Sequence, residues 1–444
     1  MNRREFIKQI AAINAALAAA YCGVKGNEKK LKVVILGFDG ANWPTIDPLI
    51  NKGKLPYLEE FRKNSAWAYF KTFNPAKSNV VWTSIATGKT MMKHGIMDFA
   101  YLKKNGIKVP YSKSERKEPT LWQILDSLKR RSISVNWWVS HPPDKINGIN
   151  VSDNFRRIAT CQPDVIPGFA DSVYPEAYFE NLKQFIAENN DYQKVLARIG
   201  IQDFVELFKQ AYPNGNYTRI PVLQMWEHFA RHDAMIESVS DYLFDNAAYD
   251  LFATYFRFPD IIQHFVTHFM DKEFKKGLIE AFKTDSVTQA MRDEAIRQIS
   301  DLLEPAYRYM ESIIKKYVEK EKNQDTYFFI MSDHGFSLYP GGYNHYDLPP
   351  GYEAPDGFLM IHGPKVKTGM VKKAGVLDIA PTILYLMNLP VGKNMDGRVL
   401  KEVFKFNRKL TYKPYKLTQH GIMKRDENYD KESLEELKSI GYVD

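Results

Sequence analysis

Short apolar runs punctuate this chain, and several of them stop abruptly at an acid or a histidine. Tyr327-Phe328-Phe329-Ile330-Met331 is apolar throughout and is followed at once by Ser332-Asp333-His334-Gly335. A run without alternation is the pattern of a strand covered on both faces, as in parallel sheets clad by helices. Leu31 to Leu36 repeats the pattern and ends in Gly37-Phe38-Asp39-Gly40, where glycines let the backbone turn sharply. Asp250 to Phe258 repeats it again and runs into Pro259-Asp260-Ile261-Ile262-Gln263-His264. Ser132 to Val139 and Asp356 to Ile361 read as two further strands.

Helical patterns lie between these strands. Leu55 to Phe61 starts a helix with Pro56 near its first turn. Val80 to Ala86 is a buried helix closed by Gly88, with Ser78 at its N-terminus. Leu121 to Leu128, Val376 to Leu386 and Ser433 to Tyr442 are amphipathic, the last closed by Gly441. Residues 287–321 form a long helix, expected to break or reset near Pro305. From about 155 to 246 helical patterns dominate, as in an insertion laid over the sheet. Strands alternating with helices predict an α/β fold: a three-layer sandwich with a mostly parallel central sheet covered by helices, plus that helical insertion.

Ligands of open α/β sheets bind outside the carboxyl ends of the strands, which is where Asp39, Asp260 and Asp333 fall. Asp333 and His334 offer an oxygen and a nitrogen to a metal, or else form a plain strand-to-loop turn. Asp260 and His264 are four apart and share one helical face, with His268 a turn further on. His345 follows in the Gly341-Gly342 loop. Ser78 has two readings. It is an N-cap, or a hydroxyl held where a helix N-terminus favours a phosphate or alkoxide. His141 reads as a core histidine and Asp378 as a helix-start contact. The carboxylates, imidazoles and hydroxyl together suit two metal ions with oxygen and nitrogen ligands, such as zinc. Two such metals can clamp an in-line displacement at phosphorus and turn a coordinated hydroxyl into a nucleophile.

Composition narrows this further. The chain has 444 residues, 44% hydrophobic and 14% aromatic, ample for a large core. Its net charge of +8 is interspersed, so no nucleic-acid partner is expected, while a basic surface helps draw in an anionic small molecule. With two cysteines, Cys22 and Cys161, there is neither a disulfide framework nor a thiolate metal site. In residues 1–30, Arg3-Arg4 precede a stretch from Ile10 to Ala20 that is too short to span a bilayer and ends in Ala18-Ala19-Ala20. This resembles a twin-arginine export signal followed by a polar linker, which predicts a periplasmic or cell-envelope location. Membrane attachment is expected only if Cys22 is lipidated.

Several stretches carry a family resemblance: Gly37-Phe38-Asp39-Gly40, Lys77-Ser78, Thr87-Gly88 with His94-Gly95-Ile96, Pro259-Asp260 with His264, Ser332-Asp333-His334-Gly335, and His345. Asp378-Ile379-Ala380-Pro381-Thr382 and Met395-Asp396-Gly397 add to them. With them the chain resembles the alkaline phosphatase superfamily, in its type I phosphodiesterase/nucleotide pyrophosphatase branch. The resemblance covers residues 31–444 as one catalytic domain, apart from the insertion. It implies a metal-dependent hydrolase of phosphoric esters working through a covalent phosphoserine. Asp260, His264 and His345 would hold one divalent ion. Asp39, Asp333 and His334 would hold the other, beside Ser78 as nucleophile and ligand. The ions would be zinc, with manganese the alternative, and the backbone N–H of Asn79 would help hold the phosphoryl oxygens.

The sequence departs from the pattern in two places. Ser78 stands where many nucleotide pyrophosphatases have Thr, and Asp98 stands near where an Asn binds a phosphoryl oxygen. A carboxylate there repels phosphate unless it is paired. A phosphomonoesterase or phosphotransferase of the same superfamily is the alternative reading. A sulfatase fits less well, since Cys161-Gln162-Pro163 lacks the following Arg of the formylglycine motif. A non-catalytic binding protein conflicts with every expected ligand position being filled.

Overall fold

The computed structural model describes residues 31–160, 166–189, 197–199, 206, 221–322, 325–417 and 427–443. Cys22, Cys161 and the export-like segment lie outside these residues. The centre is a large sheet whose strands run in the order Gly369–Met370, Ala66–Lys71, Gly357–His362, Thr326–Met331, Lys32–Phe38, Leu251–Phe256, Ser132–Trp137, Gly148–Ser152, Val173–Tyr174. Lys32–Phe38 lies in the middle, parallel to Leu251–Phe256 on one side and to Thr326–Met331 on the other. All residues of the latter two strands are buried, as their unbroken apolar runs require.

The sheet is mixed. Gly357–His362 runs antiparallel to both of its neighbours. Apolar periodicity identifies such a strand without giving its direction. The region of the predicted insertion contributes the helices Ala177–Asn189 and Pro221–Asn246. It also adds the short edge strand Val173–Tyr174, which extends the sheet antiparallel to Gly148–Ser152.

The long helix is continuous from Gln289 to Lys320, with Pro305 inside it. The expected break does not occur. Pro305 is buried together with Leu303, Ala306 and Tyr307, so packing of that face outweighs the loss of one backbone bond. Among the described residues no helix is long and apolar enough to cross a membrane.

Because the three central strands are parallel, Asp39, the Asp260 helix and the Asp333-His334 loop all leave one edge of the sheet. Two glycines let that edge close up. A Cβ on Gly37 would lie 2.7 Å from the ring of Trp82. Gly40 has φ +72°, and a Cβ there would sit 3.0 Å from Asp260.

Candidate active site

Ser78 is the first residue of the helix Ser78–Thr87, and Lys77 occupies the cap position. The cap reading of Ser78 is therefore replaced. Its hydroxyl bonds no backbone of its own helix and lies 3.2 Å from His334 Nε2. The sequence signal for a helix start was sound, but the side chain looks across the sheet edge.

The imidazoles are oriented by backbone carbonyls. His334 Nδ1 lies 3.2 Å from the carbonyl of Gly335, and His345 Nδ1 lies 2.7 Å from that of Ala76. A carbonyl accepts only, so each Nδ1 carries the proton and each Nε2 offers a lone pair. His334 Nε2 is 3.3 Å from Asp39 Oδ1 and 3.2 Å from Asp333 Oδ2. His345 Nε2 is 3.4 Å from Asp260 Oδ1. These buried contacts bring acceptor to acceptor. Asp39 Oδ1, Asp333 Oδ2, Asp260 Oδ1 and His345 Nε2 make no hydrogen bond.

Such convergence is costly unless a cation sits among the donors. Among the described residues two groups of three meet the spacing for one ion, Asp39-Asp333-His334 and Asp260-His334-His345. The set holds carboxylate oxygens and imidazole nitrogens and no sulfur, which suits zinc or manganese. The residues present thus fit divalent metals. His264 adjoins the second group through Asp260, its Nε2 lying 3.4 Å from Asp260 Oδ2. Asp39, Asp260, Asp333, His334 and His345 thus form the two groups, while the expected His264 joins neither and stands beside them, its Nε2 also 3.3 Å from the Tyr442 hydroxyl.

The charges respond accordingly. Burial, then the Asp39 and Asp260 carboxylates, push Asp333 well above the usual carboxylate range. Burial also raises Asp39, but hydrogen bonds from its neighbours, that of the Tyr255 hydroxyl among them, outweigh it and hold Asp39 low. Burial, followed by the neighbouring His334 and His264, drives His345 well below an ordinary histidine. A neutral imidazole is the form that can ligate.

A surrounding layer holds these groups in place. Tyr255 donates its hydroxyl to Asp39 Oδ2. Tyr442 donates to Asp260 Oδ2 at 2.5 Å and stacks on Phe99 at 4.2 Å between ring centroids. Asp233 accepts from the backbone N–H groups of Arg257 and Phe258 (3.1 and 2.8 Å), fixing the start of the short helix that carries Asp260. None of these partners carries a sequence signal, because each is set by a tertiary contact.

The remaining predicted residues are placed as follows. The N–H groups of Val80 and Val81 bond to the Lys77 carbonyl, which leaves those of Ser78 and Asn79 without a partner inside the helix. The Asn79 side chain is committed elsewhere, Nδ2 donating to the Asp98 carbonyl and Oδ1 accepting from Val80 N–H at 2.9 Å. The Asp98 carboxylate is paired with the Lys77 ammonium. The pairing on which the sequence reading turned is present. His141 is a buried histidine hydrogen-bonded to Ser152 at 3.2 Å and packed on Tyr429. Asp378 accepts from the N–H groups of Gly375 and Arg398, a structural contact as expected.

Residues 33–350 match the family described as type I phosphodiesterase/nucleotide pyrophosphatase. Solved structures similar to the chain include a phosphonate monoester hydrolase from Silicibacter pomeroyi, at 13% identity and TM-score 0.45, covering 84% of this chain and 76% of that one. Murine ectonucleotide pyrophosphatase/phosphodiesterase 5 is 11% identical, with TM-score 0.43 and coverage of 81% and 96%. The alkaline phosphatase PafA is 11% identical, with TM-score 0.49 and coverage of 86% and 100%.

Proposed function

We propose that this chain, which belongs to the type I phosphodiesterase/nucleotide pyrophosphatase family and is a hydrolase acting on phosphoric ester bonds, uses Ser78 as nucleophile beside two divalent cations. Asp39, Asp333 and His334 would hold one cation, and Asp260, His264 and His345 the other. When bound, the ions would supply Lewis-acid polarisation and ease deprotonation of the attacking hydroxyl and of water.

The chain's own residues do the rest. Ser78 Oγ forms the bond to phosphorus as the ester oxygen leaves, giving a phosphoserine that water then hydrolyses. The helix N-terminus at Ser78 and Asn79 directs backbone N–H groups and a partial positive charge at the phosphoryl oxygens. Lys77 neutralises Asp98, so an anion can approach that side. Tyr255 and Tyr442 orient Asp39 and Asp260. The observation that carries this reading is the convergence of unmatched acceptors on the face of His334 that also meets the Ser78 hydroxyl. The substrate class on this reading is a small phosphodiester, and the export-like sequence of residues 1–30 supports a periplasmic or cell-envelope location.

Comparing p-nitrophenyl phosphate, bis(p-nitrophenyl) phosphate and p-nitrophenyl sulfate on one zinc-loaded preparation tests the class. The diester should turn over fastest. Faster turnover of the monoester would make the chain a phosphomonoesterase, and faster turnover of the sulfate ester would remove the phosphodiesterase reading altogether.

A further inference from the structure

Three buried guanidinium groups meet a single carboxylate beside the site. Arg156, Arg157 and Arg257 are 4%, 8% and 3% exposed. All three bond to Glu436 of the helix Glu427–Ser439. Arg156 Nη2 reaches Oε1 at 3.1 Å, Arg157 Nη2 reaches Oε2 at 3.0 Å, and Arg257 Nη1 also bonds Oε1. The nearby acids are committed to other donors. Asp153 Oδ2 accepts from Val139 N–H, and Asp233 accepts from the Arg257 and Phe258 N–H groups. The three guanidinium groups share the charges of these carboxylates, yet Arg156 Nε and Arg257 Nη2 make no hydrogen bond. Buried guanidinium groups with unspent donors form a receptor for planar or tetrahedral anions.

The cluster borders the proposed reaction centre. Trp138 Nε1 lies 3.4 Å from Asp39 Oδ2, while Arg257 and Arg156 sit 5.0 and 5.8 Å from the Trp138 ring centroid. A gap of about 20 Å³ lies among Asn79, Trp138, Arg156, Arg157 and Glu436. Beyond Glu436 opens a cleft of about 330 Å³ lined by Arg157, His228 and His232 and, on its outer side, by Glu432 and Glu435. Glu436 thus stands as a partition between the Ser78–Asn79 turn and that outer cleft.

We propose that Arg156, Arg157 and Arg257 form a second anion subsite, which takes a carboxylate, sulfate or phosphate group carried by the substrate beyond its scissile phosphorus, and that Glu436 fills this subsite as a stand-in. The proposal rests on the reading of Ser78 as nucleophile. Substrate binding then exchanges one anion for another, and the Glu427–Ser439 helix gives way to it. The preferred substrates are phosphodiesters with a second anionic group rather than simple alkyl or aryl diesters.

The test compares p-nitrophenyl propyl phosphate with p-nitrophenyl 3-carboxypropyl phosphate, which differ by one terminal carboxylate. Glu436→Gln should raise kcat/KM for the carboxylated ester by about tenfold and leave the propyl ester within about threefold. Adding Arg156→Leu should cancel the gain. Equal changes for both esters, or a gain that survives Arg156→Leu, would overturn the subsite. Where neither ester is hydrolysed by any variant, the nucleophile reading has failed, and glutarate calorimetry decides the subsite separately. Binding to Glu436→Gln that is lost with Arg156→Leu supports it, and no binding overturns it. Should Glu436→Gln not fold, hydrogen exchange of the wild-type chain replaces it. Amides of Glu427–Ser439 should exchange faster with saturating carboxylated ester, and unchanged exchange would overturn the proposal.

Discussion

Ser78 Oγ and His334 Nε2 lie 3.2 Å apart although 256 residues separate them in the chain. With the His334 proton on Nδ1, the hydroxyl is the donor and the imidazole lone pair the acceptor. Ser78→Ala should therefore lower turnover of bis(p-nitrophenyl) phosphate by at least about a thousandfold while metal content stays near normal. Turnover within tenfold of wild type would sink the proposed nucleophile.

Removal of metal has two readouts. Elemental analysis of carefully prepared protein should give about two zinc-like ions per chain. Chelation should abolish turnover and lower the melting temperature, because buried Asp39, Asp260 and Asp333 then face one another without a cation. Ions held at about a thousand times their Kd contribute about 4 kcal/mol each to the folded state. A melting temperature unmoved by chelator would argue that these acids need no metal.

Tyr255→Phe removes the hydrogen bond that orients Asp39 and helps hold its carboxyl low. Metal affinity should fall about 10–100-fold, with kcat restored by excess zinc. A loss of kcat that zinc does not rescue would give Tyr255 a different part to play.

Lys77 is the counter-charge of Asp98. Lys77→Met should raise KM for a phosphodiester by about three- to tenfold with a smaller effect on kcat. Asp98→Asn in the same background should bring KM back. If it does not, the carboxylate lies outside the path of the substrate.

Asp144 sets an acid limit on stability. It accepts from Arg116 Nη2 at 2.9 Å, Trp122 Nε1 at 2.7 Å and Gln123 Nε2 at 2.9 Å. Burial raises this carboxyl, but Arg116, Lys113 and the Trp122 bond overcome it and leave it below the usual range. A depressed folded value means the stabilisation is complete above the ordinary carboxylate value of about 4 and is lost as pH falls through the folded one. Asp144→Asn should cost about 3–5 kcal/mol at neutral pH and flatten the acid limb of a denaturation profile. An unchanged acid limb would contradict the assignment.

What the sequence made legible was the set of strand ends. Asp39, Asp260 and Asp333 stood out because unbroken apolar runs stop at them, and the parallel strands then carry all three to one edge. Direction was not encoded in that signal, so the Gly357–His362 strand is legible but its antiparallel run is not. The helix start at Ser78 was visible, but the orientation of its hydroxyl follows from the cross-sheet position of His334. Pro305 signalled a break that burial of its helix face overrides. Tyr255, Tyr442 and the arginines around Glu436 were invisible for a common reason. Each gains its meaning from a partner remote in sequence, and no spacing rule links them.

The central position of Lys32–Phe38 bears on how the protein is made. Among the described residues this strand is the earliest of the sheet in the chain, yet its neighbours are Leu251–Phe256 and Thr326–Met331. Until both have been synthesised it remains an apolar ribbon with neither edge paired, the kind of segment that invites aggregation. Contacts so distant along the chain also slow folding, because loop closure must precede their reward. Assembly of the Asp39, Asp333 and His334 cluster is thus a late event, and nascent chains that stop short of Thr326 have no means of completing it.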